Sequence, residues 1–118
     1  MAVKDQVGRY GEDVAARHVE QAGWQVLARN WRCRHGEVDI IAMDGEELVV
    51  VEVKTRRTAT FGTPAEAVTR QKVWRLRKLV AAWLYTQEQR FESVRIDVMA
   101  VTMPPTGAAQ IEHLRGIQ

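Results

Sequence analysis

The chain has one cysteine, Cys33, so no internal disulfide can form and stability must come from packing. A lone thiol fits a reduced, cytoplasmic setting. Long apolar runs are also missing. The longest purely aliphatic stretch, Leu48 to Val51, is far short of the roughly 20 apolar residues that a membrane-spanning helix needs. No membrane partner is therefore expected. The opening Met-Ala-Val-Lys-Asp-Gln has no apolar signal region. Internal repeats and low-complexity tracts are absent as well. With 118 residues there is room for one core and not for two, so a single domain over 1–118 is expected. Its ordered core should cover about 5–102, with 103–118 as a tail or edge strand.

The formal net charge is only +2, but it is unevenly placed. Residues 54 to 78 hold Lys54, Arg56, Arg57, Arg70, Lys72, Arg75, Arg77 and Lys78 against one acid, Glu66. That segment carries +7 and leaves −5 for the rest of the chain. A basic block beside an acidic remainder suits an anion-binding face, although a solvated basic helix gives the same pattern.

The periodicities order the elements as α-β-β-β-α-β. A first helix is expected over 5–22, with Val7, Gly11, Val14, Ala15, His18 and Ala22 on one face. A strand over 24–32 places Trp24, Val26 and Ala28 together. Strands over 36–43 and 46–54 flank Asp44-Gly45, a strong hairpin signal. A second helix is expected from an N-cap at Thr63, with Pro64 at the first position and Glu66 closing a capping box. It should run to about Tyr85 or Gln87, with Ala65, Thr69, Val73, Leu76, Val80 and Trp83 as its apolar stripe. Residues 94–102 alternate as a fourth strand, and a short edge strand around Ala109 to Leu114 is possible. The fold class is α/β, a central mixed sheet flanked by helices.

The hairpin carries the chemistry. Alternation puts Glu37, Asp39, Ile41 and Met43 on one face with Leu48, Val50, Glu52 and Lys54. The other face, with Val38, Ile40, Ala42, Val49, Val51 and Val53, is wholly apolar. A longer loop sets Met43 against Leu48 and Asp39 opposite Glu52, at roughly 5 Å between Cβ atoms; a two-residue loop makes them diagonal at roughly 7–8 Å. Two carboxylates so close repel unless a hard cation bridges them. Magnesium takes one or two carboxylates, keeps waters and adds substrate phosphate, which suits this pair. Lys54 lies one pleat beyond Glu52, placed for a phosphate oxygen or an attacking water. The bland alternative is a salt-bridge ladder at the sheet's end.

Gly36-Glu37-Val38-Asp39-Ile40-Ile41-Ala42 followed by Val50-Val51-Glu52-Val53-Lys54-Thr55-Arg56 resembles the PD-(D/E)XK nuclease superfamily. Gly8-Arg9-x-Gly11-Glu12-x-x-Ala15 and Pro64-x-Glu66-Ala67-Val68 resemble the bacterial YraN family, grouped with Holliday junction resolvase-like nucleases. The resemblance spans about residues 7–102, with Val38 where the superfamily's name has proline. It implies a restriction-endonuclease-like core, Asp39 and Glu52 as metal ligands, Glu12 as a further acid near the metal, and Lys54 as the catalytic lysine. It implies magnesium or manganese as cofactor. Junction-cutting relatives work as dimers, which leaves a homodimer open.

Arg56, Arg57, Arg70, Gln71, Lys72 and Arg75 are the candidate contacts to a phosphate backbone, although Lys72 could equally snorkel beside the apolar stripe. Cys33 and His35 fall short of a four-ligand zinc site. The four tryptophans read as core or edge packing, with Trp31 a minor candidate for stacking on a base. The expected function is a metal-dependent nuclease acting on DNA, branched or otherwise structured. The first rival is a nucleic-acid-binding module that does not cut, within a repair, recombination or uptake complex. The second is a partner-binding adaptor.

Overall fold

The structure, a computed structural model, describes residues 6–57 and 68–117. In chain order the elements are α1 (Gln6–Gln21), β1 (Gln25–Cys33), β2 (Gly36–Asp44), β3 (Glu47–Arg56), α2 (Arg70–Tyr85), β4 (Val94–Thr102) and β5 (Gln110–Leu114). The strands form one sheet in the order β1-β2-β3-β4-β5. Every pair is antiparallel except β3–β4. Parallel neighbours need a crossover, and α2 lies in that connection. This is the expected mixed-sheet α/β architecture, consistent with a restriction-endonuclease-like core, and the edge strand is present as β5.

Both faces of the sheet are covered, which is why β2 and β3 carry near-continuous apolar residues. On one face Ala15, Ala16 and Val19 of α1 pack with Ile40, Ala42, Val49, Val51, Met99 and Val101. On the other, Leu76, Leu79, Val80 and Trp83 of α2 pack with Val38, Ile41, Leu48, Val50 and Ile96.

Several details depart from the periodic reading. The buried face of α1 is Gly11, Glu12, Ala15, Ala16 and Val19, while His18 and Ala22 are exposed. The helix is therefore turned so that Gly11 faces β3. A Cβ there would stand 1.8 Å from Thr55 Oγ1, so only glycine permits this approach. That rotation carries Glu12, the next residue, into the interface.

Ala28 packs toward α2 while Val26 packs toward α1, because the β1–β2 register slips between them. The hairpin takes the register expected of the longer loop, but its loop is only two residues, Gly45 and Glu46, because Asp44 and Glu47 also pair. Met43 pairs with Leu48 and Asp44 with Glu47, and Gly45 takes the positive φ of 62° that the turn needs.

The second helix begins later than expected. Thr63, Pro64 and Glu66, the expected cap, lie outside the described residues. Thr69 is extended, at φ −98° and ψ 161°, and its hydroxyl accepts from the Lys72 N–H. That is an N-cap, so the helix starts at Arg70. Its stripe also includes Leu79, fully buried.

Candidate metal and nucleic-acid site

The site is made where two strands stop pairing. The β2–β3 ladder runs from Asp44–Glu47 to Ile40–Val51 and ends there, one step before Asp39 and Glu52. Beyond that point Asp39 Oδ2 accepts a 2.8 Å hydrogen bond from the Val53 N–H. In a continued register Val53 would face Val38 and find a strand carbonyl. A side-chain oxygen now stands in for it, satisfying the backbone group that the opening exposes.

At the same place the side-chain alternation of β2 slips by one. Val38 packs with the α2-side core, whereas Ile40 packs with the α1-side core. Opposite this step in β1, Asn30 has a φ of 53°, a left-handed conformation that suits a local break in a strand. The slip changes the expected composition of the two faces. Val38 leaves the α1 side, and Glu37 and Asp39 are brought toward α1 instead of remaining on a common face with Ile41.

The result is a group of three acids. Carboxylate oxygens of Glu12, Glu37 and Asp39 lie within 4.8 Å of one another. Glu12 is only 5% exposed, so one of the three is well removed from solvent. Glu37 also accepts from Arg32 at 2.5 Å on the neighbouring strand, and Arg29 binds Asp13 at 2.6 Å, tying β1 to α1. The donors are all hard oxygens, without sulfur or imidazole. That set fits magnesium or manganese and suits zinc poorly. Carboxylates at this separation repel one another, and a divalent cation among them removes the repulsion.

Glu52 and Lys54 are turned the other way. They alternate with Leu48 and Val50, whose side chains pack toward α2. Glu52 Oε1 accepts from Arg75 of α2 at 2.9 Å. Lys54 meets Lys72 of the same helix. Contact with the Lys54 amine, then burial and the Lys54 charge, hold Lys72 below the ordinary lysine range, while Glu52 acts in the opposite sense. The common pocket expected for Asp39, Glu52 and Lys54 is thus divided. Asp39 groups with Glu12 and Glu37 on the α1 side; Glu52 and Lys54 group with Arg75 and Lys72 on the α2 side. The two groups are linked through β3, since Asp39 bonds the N–H of Val53, the residue between Glu52 and Lys54.

Of the expected phosphate contacts, Lys72 and Arg75 stand beside Glu52 and Lys54. Arg56 is tied to Thr102 Oγ1 at 3.4 Å, at the end of β4. Arg57, Arg70 and Gln71 are exposed. Glu37 was not among the expected site residues, although its spacing of two from Asp39 was the signal for it. Trp31 is half-buried and packs against the α2-side core, in keeping with the packing reading. Cys33 packs against the same core, and its Sγ accepts from the His35 N–H.

A second polar group serves structure at the other end of the sheet. Asp97 is fully buried and binds Arg95, the Gly116 N–H at 2.9 Å and His113 Nε2 at 2.7 Å. Burial pushes the Asp97 carboxyl up, but Arg95, the Gly116 N–H and His113 outweigh it and hold it below the usual range. Arg95 continues to Glu47 at 2.7 Å and Asp44 at 3.1 Å. Trp24 packs against Arg95 and the His113 ring. The group joins the hairpin, β4 and β5.

The family described as Uncharacterised protein family UPF0102 matches residues 11–101. A UPF0102 protein of Beutenbergia cavernae is 55% identical over 117 residues, covering 99% of each chain. One from Frankia casuarinae is 50% identical over 116 residues, covering 98% of each. Another, from an Arthrobacter species, is 46% identical over 117 residues, covering 99% of each. Among the described residues no helix is long and apolar enough to cross a membrane.

Proposed function

This chain belongs to the UPF0102 family, and on that premise we propose that it is a metal-dependent nuclease hydrolysing phosphodiester bonds in DNA, branched or otherwise structured. The observation that carries the reading is the convergence of Glu12, Glu37 and Asp39 at the opening of the β2–β3 ladder, with Lys54 at the end of β3 and Lys72 of α2 on the strand's other side. The resemblance of Asp39 and Glu52-Val53-Lys54 to the PD-(D/E)XK pattern supports it.

Glu12, Glu37 and Asp39 would hold the divalent cation, with Glu52 as a further ligand once it leaves Arg75. Magnesium or manganese supplies positive charge to the scissile phosphate and acidifies a bound water. The protein's own groups do the rest. Lys54 holds a phosphate oxygen or orients the water, and its ammonium offsets charge that builds on the phosphate. Lys72 and Arg75 bind neighbouring phosphates without reading bases. Arg56, Arg57 and Arg70 extend the basic rim.

The test is a cleavage panel of single-stranded, duplex, flap and four-way DNA with magnesium or manganese. Asp39→Asn, Glu12→Gln and Lys54→Ala should each lower cleavage by about two orders of magnitude or more, as loss of direct transition-state contacts does. Binding at low salt should persist. Cleavage that survives Asp39→Asn and Glu52→Gln together rejects the reading.

One observation favours the rival, a nucleic-acid-binding module that does not cut. Glu52 is bound to Arg75, outside the acid group. Wild-type protein that binds branched DNA with steep salt dependence yet never nicks it would establish that alternative.

A further inference from the structure

Helix α2 leaves two large aromatics in solvent, Tyr85 at its last position and Trp74 on its outer surface beside the basic residues. Trp74 is 61% exposed, the most exposed tryptophan of the described chain. It is not an isolated apolar residue. Lys78, one turn on, places its Nζ 5.4 Å from the ring centroid. Around the ring is an open groove of about 610 Å³, whose walls include Gln71, Lys72, Trp74, Arg75, Lys78 and His35. None of the described residues lining it is acidic. The volume is in the range of small-ligand sites, and the cations make it complementary to an anion.

The position of the groove narrows the choice of anion. Lys72 and Arg75 each belong to two places at once. They line the groove, and they also contact Lys54 and Glu52 of β3. A polyanion held at the Lys54 end of β3 therefore has a continuous row of cations leading to Trp74. Proteins that hold single strands combine these two parts: a basic track for the backbone and an aromatic face for the bases. A base in a duplex is stacked on its neighbours and has no face to offer; an unpaired base does.

We propose that the Trp74 groove is a subsite for an unpaired nucleotide, with the base stacked on the Trp74 ring and its flanking phosphates held by Lys72, Arg75 and Lys78. Lys78 need only swing its flexible tip from the ring to the phosphate. This deepens the nuclease reading and rests on it. It assigns the substrate class as DNA with a single-stranded stretch adjoining the cut site, such as a flap, an overhang or an opened branch point. It also gives Trp74 a reason for exposure that core packing does not.

Binding measured without divalent metal separates this inference from catalysis. Fluorescence anisotropy at low salt would compare a blunt duplex with the same duplex carrying a four-nucleotide overhang. Wild-type protein should prefer the overhang by about ten-fold, the loss typical of removing one aromatic stacking partner. Trp74→Ala should erase that preference and leave blunt-duplex affinity unchanged. Trp74→Phe should keep most of it, because the ring remains. Lys78→Ala should weaken overhang binding and flatten its salt dependence. Equal affinities for the two substrates in wild-type protein overturn the inference. So does a Trp74→Ala variant that keeps the preference, which would leave the exposed ring to a protein partner. If wild-type protein binds neither substrate, the nucleic-acid reading itself fails with it. Thermal melts of the variants should match wild type, since the side chain is exposed.

Discussion

Removing the Arg75 guanidinium should tighten divalent-cation binding. Glu52 lies outside the three-acid group because strand alternation turns it toward α2, where Arg75 holds it through a single 2.9 Å contact. If Glu52 belongs among the metal's ligands, the cation must take it from Arg75. The cost of that exchange follows from the exposure of the pair. Arg75 is 51% exposed and Glu52 14%, so solvent screens the interaction and it is worth only about 0.2–1 kcal/mol. Relieved of that competitor, the site should bind manganese roughly 1.5- to 5-fold more tightly. A buried, fully desolvated pair would have given a far larger factor and would have barred the metal altogether.

Isothermal titration with manganese, in the absence of nucleic acid, measures this. Arg75→Ala should lower the dissociation constant by that factor, and Glu52→Gln should raise it. In the Glu52→Gln background, Arg75→Ala should do nothing, because the carboxylate for which Arg75 and the metal compete is already gone. Arg77→Ala, an exposed cation on the same helix, controls for the general loss of a positive charge. If Arg75→Ala tightens binding equally with and without Glu52, the effect is the field of the helix and the competition argument is wrong. If neither Arg75→Ala nor Glu52→Gln moves the constant, Glu52 stays with α2 and is no ligand.

Gly11→Ala should destabilise the fold by about 1–3 kcal/mol, as overpacking does, since the new methyl would meet Thr55 Oγ1 at 1.8 Å. By lifting α1 it should also displace Glu12 and depress cleavage beyond what the lower melting temperature explains. Asp97→Asn should cost about 3 kcal/mol near neutral pH in a urea titration, the low end for breaking a buried pair, because Arg95 keeps Asp44 and Glu47. The Asp97 carboxyl is held below its usual range in the folded chain, so its contribution is complete above about pH 4 and lost as the pH falls through the folded value. Wild type and Asp97→Asn should therefore converge in acid, and a constant gap down to pH 2.5 would contradict the assignment. Lys72→Ala should weaken DNA binding uniformly across sequences and reduce the salt slope by about one.

Much of this was legible in the sequence, for identifiable reasons. Element order follows from period-two runs around Asp44-Gly45 and from the apolar stripe ending at Trp83, both strong local signals. The hairpin register came down to two alternatives, and Asp44–Glu47 pairing chose one. What failed was alternation carried through an irregularity. A strict period of two places Val38 with Ile40, but Asn30 at positive φ and the slip at Asp39 rotate the far end of β2. No composition rule marks that step, since the cause is a tertiary one: the ladder opens and Asp39 takes up the Val53 N–H. For the same reason the alternation wrongly put Glu52 and Lys54 in one pocket with Asp39 and gave no sign of Arg75 and Lys72, which they meet instead. Those contacts depend on where α2 lands. The network around Asp97 was equally hidden, because His113 arrives from β5 and has no local motif.

The division of charge across β3 bears on how the site would work. Successive residues of a strand point to opposite faces, so Val53 and Thr55 belong to α1 while Glu52 and Lys54 belong to α2. Were β2 still paired at this level, the sheet would separate the acids from the lysines and the two could not act on one phosphate. The ladder ends at Ile40–Val51, however, and leaves the last residues of β3 without that neighbour's backbone pairing. At such an opening the two faces meet around the strand's edge. Asp39 shows the geometry directly, since its carboxylate belongs to the α1-side acids yet bonds the backbone midway between Glu52 and Lys54. On the proposed reading, the acids that would hold the metal and the lysines that would hold the phosphate act across this interruption of the sheet, and the residues that keep it interrupted matter as much as the charged ones. Asp39 would hold both duties. Asp39→Asn retains an oxygen for the Val53 N–H and should lose the metal while keeping the opening; Asp39→Val removes both and should lower stability as well, by the roughly 1–3 kcal/mol of an unsatisfied buried donor. Manganese titration beside thermal melts distinguishes the two, and equal stability of the variants would remove Asp39 from any role in holding the strands apart.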